Sequence, residues 1–139
     1  MLDLRVFKNA WFGRFARKEK LSDTQLWNAV QDAERGLVDA NLGSGVIKLR
    51  MARKGSGKSA GYRTIVMYRQ GEKAFFVFGF PKNEQANIRD DEATQFKKAA
   101  KHILNMSEEQ IDQLIDNGQL EEVTHGNEKI PQRCSGRHS

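Results

Sequence analysis

Apolar and polar positions divide the chain into eight predicted elements. Leu4-Arg5-Val6-Phe7 alternates and reads as a short first strand. Trp11, Phe12, Phe15 and Ala16 then recur at helical spacing, with Asn9 placed to cap that helix. Ser22-Asp23-Thr24-Gln25 is a capping box, flanked by Leu21 and Leu26 as a hydrophobic staple. Leu26, Ala29, Val30 and Ala33 form the apolar stripe of this second helix, and Gly36 can end it. Residues 37–45, rich in Gly, Asn and Asp, read as a loop. Residues 46–52 and 62–69 read as strands joined by a glycine-rich turn. Gln70-Gly71 signals a tight turn into the mostly apolar strand 73–80, which Pro81 closes; its near-continuous hydrophobicity predicts a central strand covered on at least one face. A third helix fits 91–105, with Phe96, Ala99, Ala100, Ile103 and Leu104 on one face. Ser107-Glu108-Glu109-Gln110 opens a fourth, with Met106 and Ile111 as its staple and Gly118 as its end. The pattern is α+β, in the order β-α-α-β-β-β-α-α. The three later strands form an antiparallel meander, and the first strand joins it at an edge or beside a central strand.

With 139 residues the chain is long enough for one core, which places a single domain at 1–120. From His125 on, the composition turns to Gly, Ser, Arg and Gln, so 121–139 reads as a flexible tail. Nothing near the start resembles a signal peptide, and no apolar run approaches the roughly 20 residues that span a bilayer. Cys134 is alone, which excludes an internal disulfide and fits a reducing cytoplasm. That cysteine and the scattered His102, His125 and His138 lack metal-ligand spacing, so no metal or cofactor is expected. His102 falls off the apolar stripe of its helix and should be exposed. Trp11, Phe12 and Trp27 are expected as core anchors.

Charge changes the picture more. The chain carries a net +5, and residues 46–69 hold seven Lys or Arg and no acid: Lys48, Arg50, Arg53, Lys54, Lys58, Arg63 and Arg69. Fixed cations on a sheet beside a glycine-rich cationic turn suit a polyanion, of which nucleic acid is the commonest. The bland reading is a sheet edge protected by solvated charge. The length of the acid-free span and the interleaved Tyr62 and Tyr68 favour RNA, with Tyr62 the better candidate to stack on a base. Residues 52–59 fall one glycine short of a phosphate-binding P-loop. A P-loop also needs a helix directly after its Lys-Ser, and here the β-branched and aromatic run 61–68 predicts a strand.

Three blocks, Gly45–Arg50, Gly55–Arg63 and Phe78–Glu84, resemble signature segments of the RelE/ParE superfamily of toxin–antitoxin toxins, in its HigB/RelE-like branch. The resemblance covers about residues 4–120. It implies a RelE-like fold with the helices packed on one face of the sheet. It implies a cytoplasmic, metal-independent endoribonuclease that enters the ribosomal A site and cuts mRNA there, held in check by an antitoxin, here expected to be a helix-turn-helix protein. In that chemistry the 2′-hydroxyl attacks the adjacent phosphate. Lys48 and Arg63 fall on a strand lysine and a strand arginine of the RelE site, and Lys82 and Asn83 on its Lys-Arg pair. These four are the implied catalytic residues. Arg50, Arg53, Lys54, Lys58, Tyr62 and Arg69 complete the expected RNA surface. The chain departs from RelE at three places. Val46 replaces a second lysine, Asn83 replaces an arginine, and no tyrosine follows Tyr68 where RelE uses one near the C-terminus. The alternatives are a ParE-like gyrase inhibitor, which does not require the basic face, and a binding relic that has lost catalysis.

Overall fold

The computed structural model describes residues 4–53, 57–83, 85 and 87–124, and among them leaves the side chains of 53 and 57–60 undescribed. Its elements are β1 (Arg5–Asn9), α1 (Ala10–Glu19), α2 (Asp23–Glu34), β2 (Ala40–Gly43), β3 (Val46–Arg53), β4 (Gly57–Arg69), β5 (Lys73–Pro81), α3 (Asp90–Ile103), α4 (Glu108–Asp116) and β6 (Leu120–Val123). One six-stranded sheet runs β2-β3-β4-β5-β1-β6. Only β1 against β5 is parallel; every other pair is antiparallel. The expected meander is β3-β4-β5, and β1 joins it beside β5.

The local signals act as their chemistry requires. Asn9 accepts a hydrogen bond from the Phe12 amide at 2.7 Å and starts α1. Both capping boxes close in both directions, at Ser22 and at Ser107. Gly36, Gly71 and Gly118 take the left-handed conformations their turns demand. β4 continues straight out of the glycine-rich turn as a strand, so the P-loop reading is excluded.

Strand alternation builds two cores. Ile47, Leu49, Met51, Val66, Ala74 and Phe76 face α1 and α2. Val46, Ile65, Met67, Phe75 and Val77 face α3 and α4. The helices therefore divide between the two faces and do not share one. The reason is visible in β5, where consecutive residues are buried: both faces are apolar, and each must be covered.

Two short strands lie where the composition points to loop or tail. β2 forms on residues 40–43 because β3 otherwise presents an unpaired edge; Gly43, Ser44 and Gly45 turn the chain with positive φ. Gly45 also lets α3 approach, since a Cβ there would meet Leu104 Cδ1 at 2.5 Å. β6 pairs with β1, and its Leu120 and Val123 bury on opposite faces. The ordered fold thus runs past residue 120. Residues 125–139, the rest of the expected tail, lie outside the described residues.

A bulge between β4 and β5 matters for the site. Ile65 pairs with Phe78 but Val66 with Phe76, so Val77 is the extra residue. The bulge puts Phe78 and Phe80 on the face of Ile65 and Arg63, while Gly79 turns to α1, where a Cβ would meet Phe15 at 2.7 Å. Trp11, expected in the core, is 38% exposed, resting against Phe15 and Phe78. Among the described residues no helix is long and apolar enough to cross a membrane.

Candidate nucleic-acid interface

Alternation along β3 sends Ile47, Leu49 and Met51 into the α1/α2 core. Lys48 and Arg50 therefore go to the other face. Register places Arg63 directly opposite Arg50, and Ile65 opposite Lys48. Opposed like charges repel, so this arrangement needs a counterion.

That counterion is Asp39, an acid outside the basic span. It follows the turn after α2 and is fixed by its own amide, which donates to the Lys48 carbonyl at 2.8 Å. Arg50 Nε donates to Asp39 Oδ1 at 2.7 Å. Arg63 Nε lies 3.5 Å and Lys48 Nζ 3.7 Å from Oδ2. Burial pushes the Asp39 carboxyl up, but the Arg50 hydrogen bond and the charges of Arg50, Arg63 and Lys48 outweigh it and hold it below the usual carboxylate range. Three cations against one carboxylate leave a net +2.

Lys48 and Arg63 are 9% and 5% exposed. Lys48 Nζ also donates to Asn87 Oδ1 at 3.2 Å, so the β5–α3 connection reaches across the face. Arg63 Nη1 is buried and has no hydrogen-bond partner among the described residues. An unmet buried donor typically costs about 1–3 kcal/mol. An anion arriving at Nη1 would recover that cost.

The other expected residues separate. Lys82 and Asn83 are exposed just beyond β5. They lie at the rim, because the Lys82 amide donates to the Gly61 carbonyl at 2.9 Å and Phe80 is the partner of Arg63. Tyr62 does not belong to the surface. It is 3% exposed on the α1/α2 face, with its hydroxyl donating to Glu19 Oε1 at 2.8 Å and its ring edge-on to Phe15. Being the sequence neighbour of Arg63, it must point the opposite way. Arg69 does not belong either. It stands six residues along β4 from Arg63, roughly 20 Å away, and donates to Asn105 Oδ1 at 3.1 Å. Lys54 and the side chains of Arg53 and Lys58 lie outside the described residues.

Asp39 is the residue that sequence reasoning missed. Nothing in the sequence marked it, because it falls in the stretch 37–45 that reads as a loop. On α3, Asp91 pairs with Arg89 at 3.0 Å and not with Arg63. A cavity of about 380 Å³ opens beside the same edge on the α2 side, lined in part by Asp32, Asp39, Leu49 and Arg50.

No curated protein matches the chain. The family model of the RelE toxin of the RelE/RelB toxin–antitoxin system matches residues 4–123, from the start of β1 to the end of β6. A match over nearly the whole described fold, with the cation cluster at its centre, makes the chain a member of the RelE family of toxins, whose partner is an antitoxin.

Proposed function

We propose that this toxin inhibits translation by cleaving mRNA on the ribosome. The observation that carries the reading is the buried Nη1 of Arg63, which has no hydrogen-bond partner among the described residues, beside Lys48. A planar guanidinium on a rigid strand suits two phosphate oxygens at once. In the reaction the 2′-hydroxyl attacks the adjacent phosphorus, the bond to the 5′-oxygen breaks, and a 2′,3′-cyclic phosphate remains. Negative charge grows on the phosphoryl oxygens in the transition state. Arg63 and Lys48 stabilise that charge, so they act on rate more than on binding. RNA reaches them by displacing Asn87 from Lys48. Arg50, half exposed, and Lys82 and Asn83 at the rim hold the flanking backbone, and the proton lost by the attacking 2′-hydroxyl is balanced by the one gained by the leaving 5′-oxygen. The cognate antitoxin, of helix-turn-helix type, covers this face with an acidic or amphipathic segment.

Induced expression followed by mapping of 5′ ends across total mRNA tests the reading. New ends within translated regions support it. Loss of DNA supercoiling without new ends would favour a gyrase-directed toxin, and neither effect would favour an RNA-binding protein that does not cut.

A further inference from the structure

We propose that Asp39 is a positioning residue of the phosphate site: it holds Arg63 and Arg50 by their Nε edges and competes with RNA for the same cations. The inference rests on the RNA-cleavage reading and deepens it. Three observations carry it. Arg50 and Arg63 are cross-strand partners, and nothing in a β-ladder keeps two opposed guanidiniums together. One carboxylate solves this, with Oδ1 taking Arg50 Nε at 2.7 Å and Oδ2 facing Arg63 Nε at 3.5 Å and Lys48 Nζ at 3.7 Å. Anchoring at Nε leaves the outer nitrogens for a ligand, and in Arg63 one of those, Nη1, is without a partner among the described residues.

The carboxylate thus does two opposed things. It aims Arg63, which favours the transition state. It also puts a negative charge among the cations that RNA must use, which weakens binding. A residue that merely held the fold would not separate these effects, because unfolding weakens both.

The test is Asp39→Asn in the full-length protein, with two readouts. Affinity is measured by anisotropy on a fluorescent single-stranded RNA oligonucleotide at low salt, and rate by single-turnover cleavage of ribosome-bound mRNA. The cluster rises from +2 to +3, so affinity should increase about two- to fivefold. The cleavage rate should fall by about ten- to a hundredfold. In an Arg63→Lys background the same substitution should change the rate little, since the group it positions is gone. Parental cleavage by Asp39→Asn, or affinity and rate falling together with the melting temperature, would overturn the proposal. Should Asp39→Asn not fold, Asp39→Glu replaces it: the charge is kept, so affinity stays near parental while the longer chain shifts Arg63 and slows cleavage. Unchanged cleavage in Asp39→Glu would then contradict the proposal. A parental protein that binds RNA but never cuts it would sink the nuclease reading while leaving the affinity arm informative; one that does neither removes both.

Discussion

Two ion clusters in this protein are near mirror images in charge. At one, Asp39 sits among Arg50, Arg63 and Lys48. At the other, Arg5 sits among Glu108, Asp112 and Glu122. Arg5 engages all three of its guanidinium nitrogens. Its Nε and Nη2 grip Glu122 at 3.0 and 2.9 Å, Nη1 binds Glu108, Nη2 also reaches Asp112 at 3.3 Å, and the guanidinium lies 4.9 Å from the Phe7 ring centre. Burial alone would lower its pKa, but the hydrogen bond to Glu122 and the surrounding acids raise it above the ordinary arginine value. These bonds clasp β1, β6 and α4 together across the chain. The Asp39 cluster leaves Arg63 Nη1 without a partner among the described residues and carries surplus positive charge. An arginine with every nitrogen engaged holds the fold; one with a nitrogen left open is available for a ligand.

The comparison is broken or sharpened by substitution. The largest effect is expected for Arg63→Ala, which should cost on the order of a hundredfold or more in cleavage rate while the protein stays folded. Arg5→Ala should do the reverse. Leaving half-buried Glu122 without its main partner should lower stability by about 2 kcal/mol, read as a fall of roughly 10 °C in Tm. At temperatures where that variant remains folded, it should cut normally. If both variants lose activity in proportion to stability, the distinction drawn here fails.

Acid titration gives a finer contrast. The Asp39 carboxyl titrates below its ordinary value in the folded protein and near ~3.9 in the unfolded chain. Its contribution to stability is therefore fully present above about pH 4 and is lost as pH falls through the folded value. Melting curves below pH 4 should fall less steeply for Asp39→Asn than for the parent. Parallel curves would show that the carboxylate is not held by its cations. The smallest effect is expected for Tyr62→Phe. It removes the hydroxyl's bond to Glu19, worth about 1 kcal/mol, and should leave RNA affinity unchanged because the ring faces the other core.

The helices and the central strand were legible because their signals are local. The boxes at Ser22 and Ser107 and the apolar run 73–81 do not depend on distant neighbours. The site was half legible. The absence of acids over 46–69 marked Lys48, Arg50 and Arg63, but a basic span is not a patch. A strand spreads its residues along its length and over two faces, which is why Arg69 and Tyr62 fall away from it. Their phase could not be read from β4, where both faces are apolar. The bulge at Val77, which brings Phe80 opposite Arg63, leaves no mark in an all-apolar run. Asp39 was hidden because its role depends on β2, and Ala40-Asn41-Leu42-Gly43 pairs only because the edge of β3 needs a partner.

The most direct test of the central claim, that this cation cluster acts on an RNA phosphate attacked by its own 2′-hydroxyl, is the end chemistry of the product. Purified protein is incubated with ribosomes carrying a defined mRNA, and the fragments are analysed by mass spectrometry. Upstream fragments should end in a 2′,3′-cyclic phosphate or its hydrolysis product, paired with downstream fragments bearing a 5′-hydroxyl, and neither should form with Arg63→Ala. Intact mRNA, or upstream fragments ending in a free 3′-hydroxyl, would contradict it.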